Sequence, residues 1–172
     1  MFAAAPWLTN SDMALLLLLL QSWSDWAPFV FVRDSKYGMP VVQSFHLMGL
    51  TILLVTVLLL NLRLAGLGMS DYGLSWLARQ LKPWTLGGFA VVIASGLLMF
   101  LATPGKYLGS HPFRLKMALL CLALLFHFGV VRKFTAADSG ARSRRLDVIV
   151  ACLSLTLWFG VGWAGRAIAF IP

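Results

Sequence analysis

The chain has 172 residues and contains no glutamate, since all six of its acidic residues are aspartates. Charged residues make up 12% of the sequence, against about 25% in an average soluble domain. Without glutamate, the Glu–Lys pairs that commonly stabilise a solvent-exposed helix cannot form. Hydrophobic residues reach 60%, and this abundance of apolar residues excludes an intrinsically disordered chain. A water-soluble globular domain is therefore not expected.

The scarcity of cysteine and the placement of the basic residues exclude two further classes. The two cysteines, Cys121 and Cys152, both lie inside apolar runs, which argues against a disulfide framework. The net charge is +8, but long apolar runs separate the basic residues, so they form no basic patch of the kind that nucleic-acid binding needs. No nucleic-acid partner is predicted, and the expected environment is a lipid bilayer.

Four apolar segments are long enough to cross a membrane as helices, which takes about 20 residues each. None has the strict alternation of a β-barrel strand. The segments are residues 41–62, 83–103, 112–133 and 146–170. We therefore predict an all-α integral membrane protein in which residues 40–172 form a four-helix bundle.

Residues 1–39 form a predicted N-terminal segment, in which residues 12–32 are expected to form an interfacial or re-entrant helix. Met13 to Leu20 is apolar, but several polar residues and Pro28 follow within eight residues. Tryptophan, which is frequent in this segment, favours the membrane–water interface. The alternative interpretation is a fifth, broken span.

The distribution of lysine and arginine predicts the orientation in the membrane. Loops 63–83 and 132–145 hold eight of the 14 basic residues, and the opposite side holds six. Because lysine and arginine are enriched in cytoplasmic loops, we place both loops in the cytoplasm and both chain ends outside. The predicted location is a bacterial inner (cytoplasmic) membrane or its equivalent.

Ionisable residues inside membrane spans are costly and are therefore candidates for a functional site. His46 lies 17 residues before Arg63, and Lys116 lies 16 residues before Arg132, on two spans that run in the same direction. This spacing puts His46 and Lys116 at nearly one depth, near the predicted outer face. Arg166, near the end of the fourth span, is predicted to reach the same level.

His127 lies 11 residues beyond Lys116, which is roughly 16 Å along a helix axis at about 1.5 Å per residue. Eleven residues also complete about three helical turns, so both side chains point from one face of the helix. His46 and His127 are therefore too far apart in depth to ligate one iron from opposite sides. A hydrogen bond between helices is the favoured role of His127, and a role in a site stays open.

The polar residues at the outer level match what a haem needs, namely an axial nitrogen, a flat apolar slot and cations for its propionates. His46 is the predicted axial ligand, with His111 or a neutral Lys116 as the ligand opposite. Gly49, one turn after His46, is expected to leave room for the macrocycle. The cations predicted to neutralise the propionates are Lys106, Arg114, Lys116 and Arg166.

Short motifs at the ends and in the middle of the spans form a recognisable set. They are His46-Leu47 and Arg63-Leu64 on the first span, Leu81-Lys82-Pro83 and Gly96 on the second, and Phe113-Arg114-Leu115-Lys116 with the later His127 on the third. This set resembles the CopD-like four-helix membrane group and the HemJ-type protoporphyrinogen oxidases within it. The closing stretch 165–170 is similar to that of an uncharacterised bacterial integral-membrane family.

The resemblance implies a four-helix membrane fold and a bound haem b. In the HemJ-type enzymes, the histidine and lysine that match His46 and Lys116 are implicated in haem binding. The polar Asn-Glu-Pro ending of those enzymes is not found after the fourth span, so the oxidation of protoporphyrinogen is not part of the expectation.

The leading functional hypothesis is a haem b-binding membrane protein that acts in electron transfer or membrane oxidoreduction. A partner protein subunit or a homo-oligomer is expected, and a quinone is a candidate electron donor. One alternative is a cofactor-free membrane anchor or assembly subunit. Another is a transporter of copper or another small cation, which would depend on His46 and Met48.

Overall fold

The structure is a computed structural model that describes residues 10–69, 71–136 and 143–168. Every regular element in these residues is helical. The α-helices are α1 (Asn10–Ser24), α2 (Ala27–Asp34), α3 (Gly38–Leu64), α4 (Leu74–Ala102), α5 (Pro104–Leu108), α6 (His111–Phe126), α7 (Arg132–Ala136) and α8 (Arg144–Ala167). A π-helical turn over His127–Val131 joins α6 to α7 without a break. The predicted ends of the N-terminal segment and of the fourth span, residues 1–9 and 169–172, lie outside the described residues, as does 137–142 in the second basic loop.

Four helices of the described chain are long and apolar enough to cross a membrane. They are Gly38–Leu64, Leu74–Ala102, His111–Thr135 and Arg144–Ala167. The predicted all-α membrane bundle with four spans is therefore confirmed, and the chain is a multi-pass membrane protein. Large apolar side chains remain exposed along all four helices, as expected where a helix faces lipid.

The bundle is built from two helix pairs, α3 with α4 and α6 with α8, and α3 also packs against α8. The short α3–α4 connection and the start of α8 meet at one end of the bundle, where the Arg144 guanidinium lies beside Gly66. The two basic loops therefore lie at the same end, which we call the inner end. The opposite end, which carries α5 and the start of α6, is the outer end.

Two clusters of buried apolar residues hold the helices together. The inner cluster, at the end with the basic loops, comprises Leu60, Leu64, Ala65, Leu74, Val131, Val150 and Ala151. The central cluster comprises Leu53, Val57, Ala123, Trp158 and Val161. In a membrane, such packing contributes van der Waals contact rather than a gain from leaving water.

The second span begins earlier than the prediction from Pro83. α4 starts at Leu74 and continues through Pro83, although proline removes one backbone hydrogen bond inside a helix. The first turns form because Leu74 and Leu77 are buried near the inner end, where Leu74 belongs to the inner cluster. A proline was thus a wrong indicator of the start of the second span.

The N-terminal segment contains two helices where the sequence predicted one over residues 12–32. α1 ends at Ser24 and α2 begins at Ala27, with Trp26 in an extended conformation between them. Pro28, in the first turn of α2, explains this break because a proline nitrogen cannot donate to the preceding turn. An ion pair of 3.6 Å between Arg33 and Asp25 links α2 to the connection. In the described residues α1 has 15 residues and α2 has 8, each fewer than the about 20 that cross a bilayer.

Candidate functional site

His46 lies on α3, is 9% exposed, and is joined to α4 by a hydrogen bond. Its Nδ1 lies 2.9 Å from the Ser95 hydroxyl oxygen. That hydroxyl also donates to the Val91 carbonyl. When it does so, the serine oxygen accepts from Nδ1, and Nε2 of His46 carries the unprotonated lone pair. An orienting partner on one ring nitrogen is the arrangement that metal-binding histidines commonly have.

A second residue of α4 supports the same ring. A methyl group in place of the Gly96 hydrogen would lie 3.4 Å from Cε1 of His46. The imidazole is therefore held against α4 by Ser95 on one side and by the bare backbone of Gly96 on the other. Gly96 belongs to the motifs found in the sequence, but Ser95 does not. A polar side chain within an apolar span was the feature that could have indicated Ser95.

Lys116 lies on α6 at the level of this histidine. Its charge acts on His46, and its side chain lies over Gly165 of α8, where an added methyl group would be 3.6 Å from the ammonium nitrogen. The lysine side chain therefore packs against the α8 backbone at Gly165. Three helices thus contribute to one level of the bundle, through His46, Lys116 and Gly165.

Within the four described spans, the charge of Lys116 has no acidic counterpart at that level. The four spans contain a single acidic residue, Asp147, which lies in the first turn of α8 at the inner end. A cation inside a membrane protein is stabilised by a nearby anion or by water. The arrangement therefore suits a ligand that carries a carboxylate or another anionic group.

The other predicted site residues lie near the outer surface. His111 is the first residue of α6 and is exposed, as is Arg114 one turn later. Arg166 is exposed on the last turn of α8 and borders a cavity of about 540 Å³. Apart from Arg166, this cavity has an apolar lining from α3, α6 and α8, including Leu115 and Trp163. We call it the α6–α8 groove; His46 does not line it.

Gly49 does not open the flat slot that was expected beside His46. An added methyl group at Gly49 would lie 2.9 Å from a methyl carbon of Val91 and 3.1 Å from the Gly88 carbonyl oxygen. The space beside this glycine is therefore filled by α4. Gly49 and Gly88 instead allow α3 and α4 to approach closely, as small residues do between membrane helices. The room for a flat ligand lies in the α6–α8 groove.

An aromatic cluster covers the outer end between α4, α5 and α6. The rings of Phe100 and Phe113 stack at 5.7 Å between centroids, and Tyr107 lies 5.3 Å from Phe113. Phe113 is one turn before Lys116, so the cluster lies above the lysine at the outer end. Burial raises the pKa of the Tyr107 phenol, and a hydrogen bond with Thr103 partly offsets this shift. The cluster cannot be predicted from hydrophobic periodicity, because α5 has only five residues.

His127 lies far from the His46 level and contacts α8. Its ring meets the Trp158 ring edge to face at 6.2 Å. Lys116 and His127 therefore both face α8, at Gly165 and Trp158. The Nδ1 atom of His127 is buried without a hydrogen-bond partner.

A metal ion held by protein side chains alone has no ligand set in the described residues, which contain no group of three or more histidine, cysteine or acidic side chains. Haem iron has a smaller requirement, because the macrocycle supplies four of its ligands and the protein one or two.

Together, these features define a class of protein: a four-helix membrane bundle with a histidine and a lysine brought to one level near its outer end. Comparison of the sequence with protein-family models places the chain in a family. It belongs to DUF6644, a family of unknown function, whose model matches residues 23–171. No curated protein and no solved structure matches the chain.

Proposed function

We propose that this protein binds one haem b at the level of His46 and Lys116 and transfers electrons within the membrane. The observation that carries the proposal is the pairing of an oriented imidazole with a cation that lacks an acidic partner in the spans. The hydrogen bond that Nδ1 of His46 donates to Ser95 leaves Nε2 available as a ligand. The resemblance to the HemJ-type enzymes at His46 and Lys116 adds independent support.

The donor types present fit a haem, and each residue has a definite role in holding it. Because α4 fills the space beside Gly49 and His46 does not line the α6–α8 groove, a macrocycle held by His46 would move these helices apart. His46 would hold the iron through its Nε2 atom, and His111, or Lys116 in its neutral form, would be a second ligand. Arg114 and Arg166 would neutralise the propionates near the membrane surface. When bound, the group would supply a one-electron carrier whose potential the protein tunes through ligation and burial.

The chain's own residues would control the ligand and its surroundings. Ser95 holds the proton on Nδ1 of His46, which fixes the tautomer and the ring orientation. The apolar side chains around the histidine, together with the Phe100–Tyr107–Phe113 cluster, keep water from that level. We further propose a quinone-level donor and a partner subunit as the electron acceptor, with the basic loops in the cytoplasm of a bacterial inner membrane.

An absorption spectrum of the purified full-length protein, expressed with ample haem, tests the proposal. We expect a Soret band that shifts on reduction, with close to one haem per chain. His46→Ala should remove this band. Ser95→Ala should lower the affinity for haem by about 10- to 100-fold, the usual cost of losing an orienting partner. His111→Gln distinguishes the opposite ligand, since occupancy should fall only if His111 ligates.

His127→Gln is the matched control, because it changes a histidine of the same bundle at a different depth. It should leave the spectrum unchanged. A protein that shows no Soret band, or one whose band persists in His46→Ala, would overturn the proposal.

A cofactor-free anchor or assembly subunit is the second candidate, and one observation favours it. The His46–Ser95 hydrogen bond and the Gly49–Gly88 contact already join α3 to α4 without any ligand. This function predicts a colourless protein that copurifies with stoichiometric partners. Transport of copper ranks last, because the described residues offer no cluster of ligands for a metal ion.

A further inference from the structure

Four buried polar atoms lack a hydrogen-bond partner, and they account for every such side-chain atom in the described residues. They are Oδ1 of Asn61, Nδ1 of His127, Oγ of Ser154 and Nε1 of Trp158. Three of these residues are almost completely buried, with exposed fractions of 0% for Asn61, 1% for Ser154 and 3% for Trp158.

Three of the four residues lie between the central and the inner cluster, and Trp158 belongs to the central cluster itself. On α3, Asn61 is one turn beyond Val57 of the central cluster and one turn before Leu64 and Ala65 of the inner cluster. On α8, Ser154 lies between Ala151 of the inner cluster and Trp158 of the central cluster. On the third span, His127 lies between Ala123 and Val131. We call Asn61, His127, Ser154 and Trp158 the polar layer.

An unpaired polar atom inside a membrane protein is costly, because neither lipid nor apolar side chains can replace its lost hydrogen bond. The chemistry of the polar layer is mixed. The Trp158 indole can only donate, and the Asn61 oxygen can only accept, whereas Ser154 and His127 can do either. A small molecule that both donates and accepts can therefore pair with any of these atoms.

A cavity beside two of these residues limits the size of such a molecule. It measures about 10 Å³ and is lined by His127, Trp158, Thr85 and apolar side chains. This volume is near the minimum for one water molecule. The described spans also place no charged side chain at this level, which argues against an ion. The π-helical turn that begins at His127 is a helix irregularity that often marks functional positions.

We propose that the cavity beside His127 and Trp158 is a hydration site, in which one water molecule bridges the two side chains. The indole N–H donates to the water oxygen, and the water donates to Nδ1 of His127, so His127 carries its proton on Nε2. The site joins the third span to α8 through water. It does not depend on whether haem binds at the His46 level.

Solid-state NMR of the full-length protein in vesicles of deuterated lipid tests the site directly. We expect magnetisation to pass from water to the Trp158 indole proton, a signal identified by its loss in Trp158→Phe. His127→Phe, which removes the second partner of the water, should reduce this transfer several-fold while the indole signal remains. Leu125→Ala, on the exposed face of the same helix, is the control and should leave the transfer unchanged.

A resolved Trp158 signal that receives no magnetisation from water would overturn the proposal.

Discussion

At the scale of single residues, the site depends on which neighbour each polar side chain meets. His46 has an acceptor in Ser95, whereas His127 has a buried nitrogen without a partner. A hydrogen bond between membrane helices contributes only about 0.6–2 kcal/mol, so Ser95 matters more for orienting the ring than for stabilising the fold. The two histidines of the bundle therefore differ in the hydrogen bonding of their Nδ1 atoms.

Tyr107 gives a prediction about pH. Burial raises the pKa of its phenol, so the folded protein holds this proton more tightly than the unfolded chain does. Its contribution to the free energy of unfolding is complete below the unfolded pKa of about 10 and is lost as the pH rises through the folded pKa. We expect Tyr107→Phe to remove this alkaline loss of stability, measured by unfolding at several pH values.

The exposed Tyr37 supplies the control for this measurement. Tyr37→Phe should keep the alkaline slope of the parent protein. The difference in phenolate absorbance between the parent and Tyr107→Phe should titrate with a midpoint above about 10. A midpoint at or below that value would contradict the assignment of Tyr107 to a buried cluster.

At the scale of helices, two adjacent glycines of α4 differ in their surroundings, and only one of them lies in the contact with α3. A methyl group added to Gly88 would lie 3.0 Å from the backbone nitrogen of Leu53 and 3.1 Å from the Gly49 oxygen, and neither backbone atom can move aside. Gly87 has open space at the same position. Gly88 therefore permits the contact between the two helices, whereas Gly87 faces away from it.

We predict that Gly88→Ala lowers the free energy of unfolding by about 1–3 kcal/mol, the usual cost of overpacking. Gly87→Ala should be neutral or stabilising by up to about 1 kcal/mol, because alanine favours a helix over glycine. Equilibrium unfolding in mixed detergent micelles measures both variants. Equal effects of the two substitutions would show that α3 and α4 do not meet at Gly88.

The third span shows how a helix can change its pitch where its partner changes. α6 is α-helical up to Phe126, and the π-helical turn starts at His127, where the ring meets Trp158. A π-helical turn rotates the residues that follow it relative to a regular α-helix. Val131 and the residues after it are thereby placed against the inner cluster.

At the scale of the whole molecule, the basic loops define the orientation that we propose. Gly68 lies in the α3–α4 connection at the inner end and Gly105 in α5 at the outer end, and both are exposed with open space around them. Each can therefore carry a reporter cysteine once Cys121 and Cys152 are replaced by alanine.

We expect Gly105→Cys to react with a membrane-impermeant maleimide in intact spheroplasts of a bacterial host. Gly68→Cys should react only after permeabilisation, because the proposed orientation puts the inner end in the cytoplasm. The chain without cysteines is the control for background labelling. The opposite labelling pattern, or equal labelling of both positions in intact cells, would contradict the orientation.

The sequence by itself determined the class of this protein. Long apolar runs and the near absence of acidic residues are enough to predict four membrane helices, because a bilayer accepts few other structures. The ends of these helices were harder to place, as Pro83 shows, since a contact with a distant element can extend a helix through a proline. The break at Trp26 was missed for the related reason that one proline has different effects in different positions.

Only the tertiary structure decided what the polar residues meet. Counting along the spans suggested that His46 and Lys116 share a level, but the partners Ser95, Gly96 and Gly165 depend on helix rotation, which sequence spacing does not fix. The same rotation closed the space beside Gly49 and brought the Trp158 ring against His127. The depth of a residue in the membrane follows from its position along its own helix. The direction in which its side chain points and the residues it contacts depend on neighbouring helices, so the contacts of the site could be seen only in the tertiary structure.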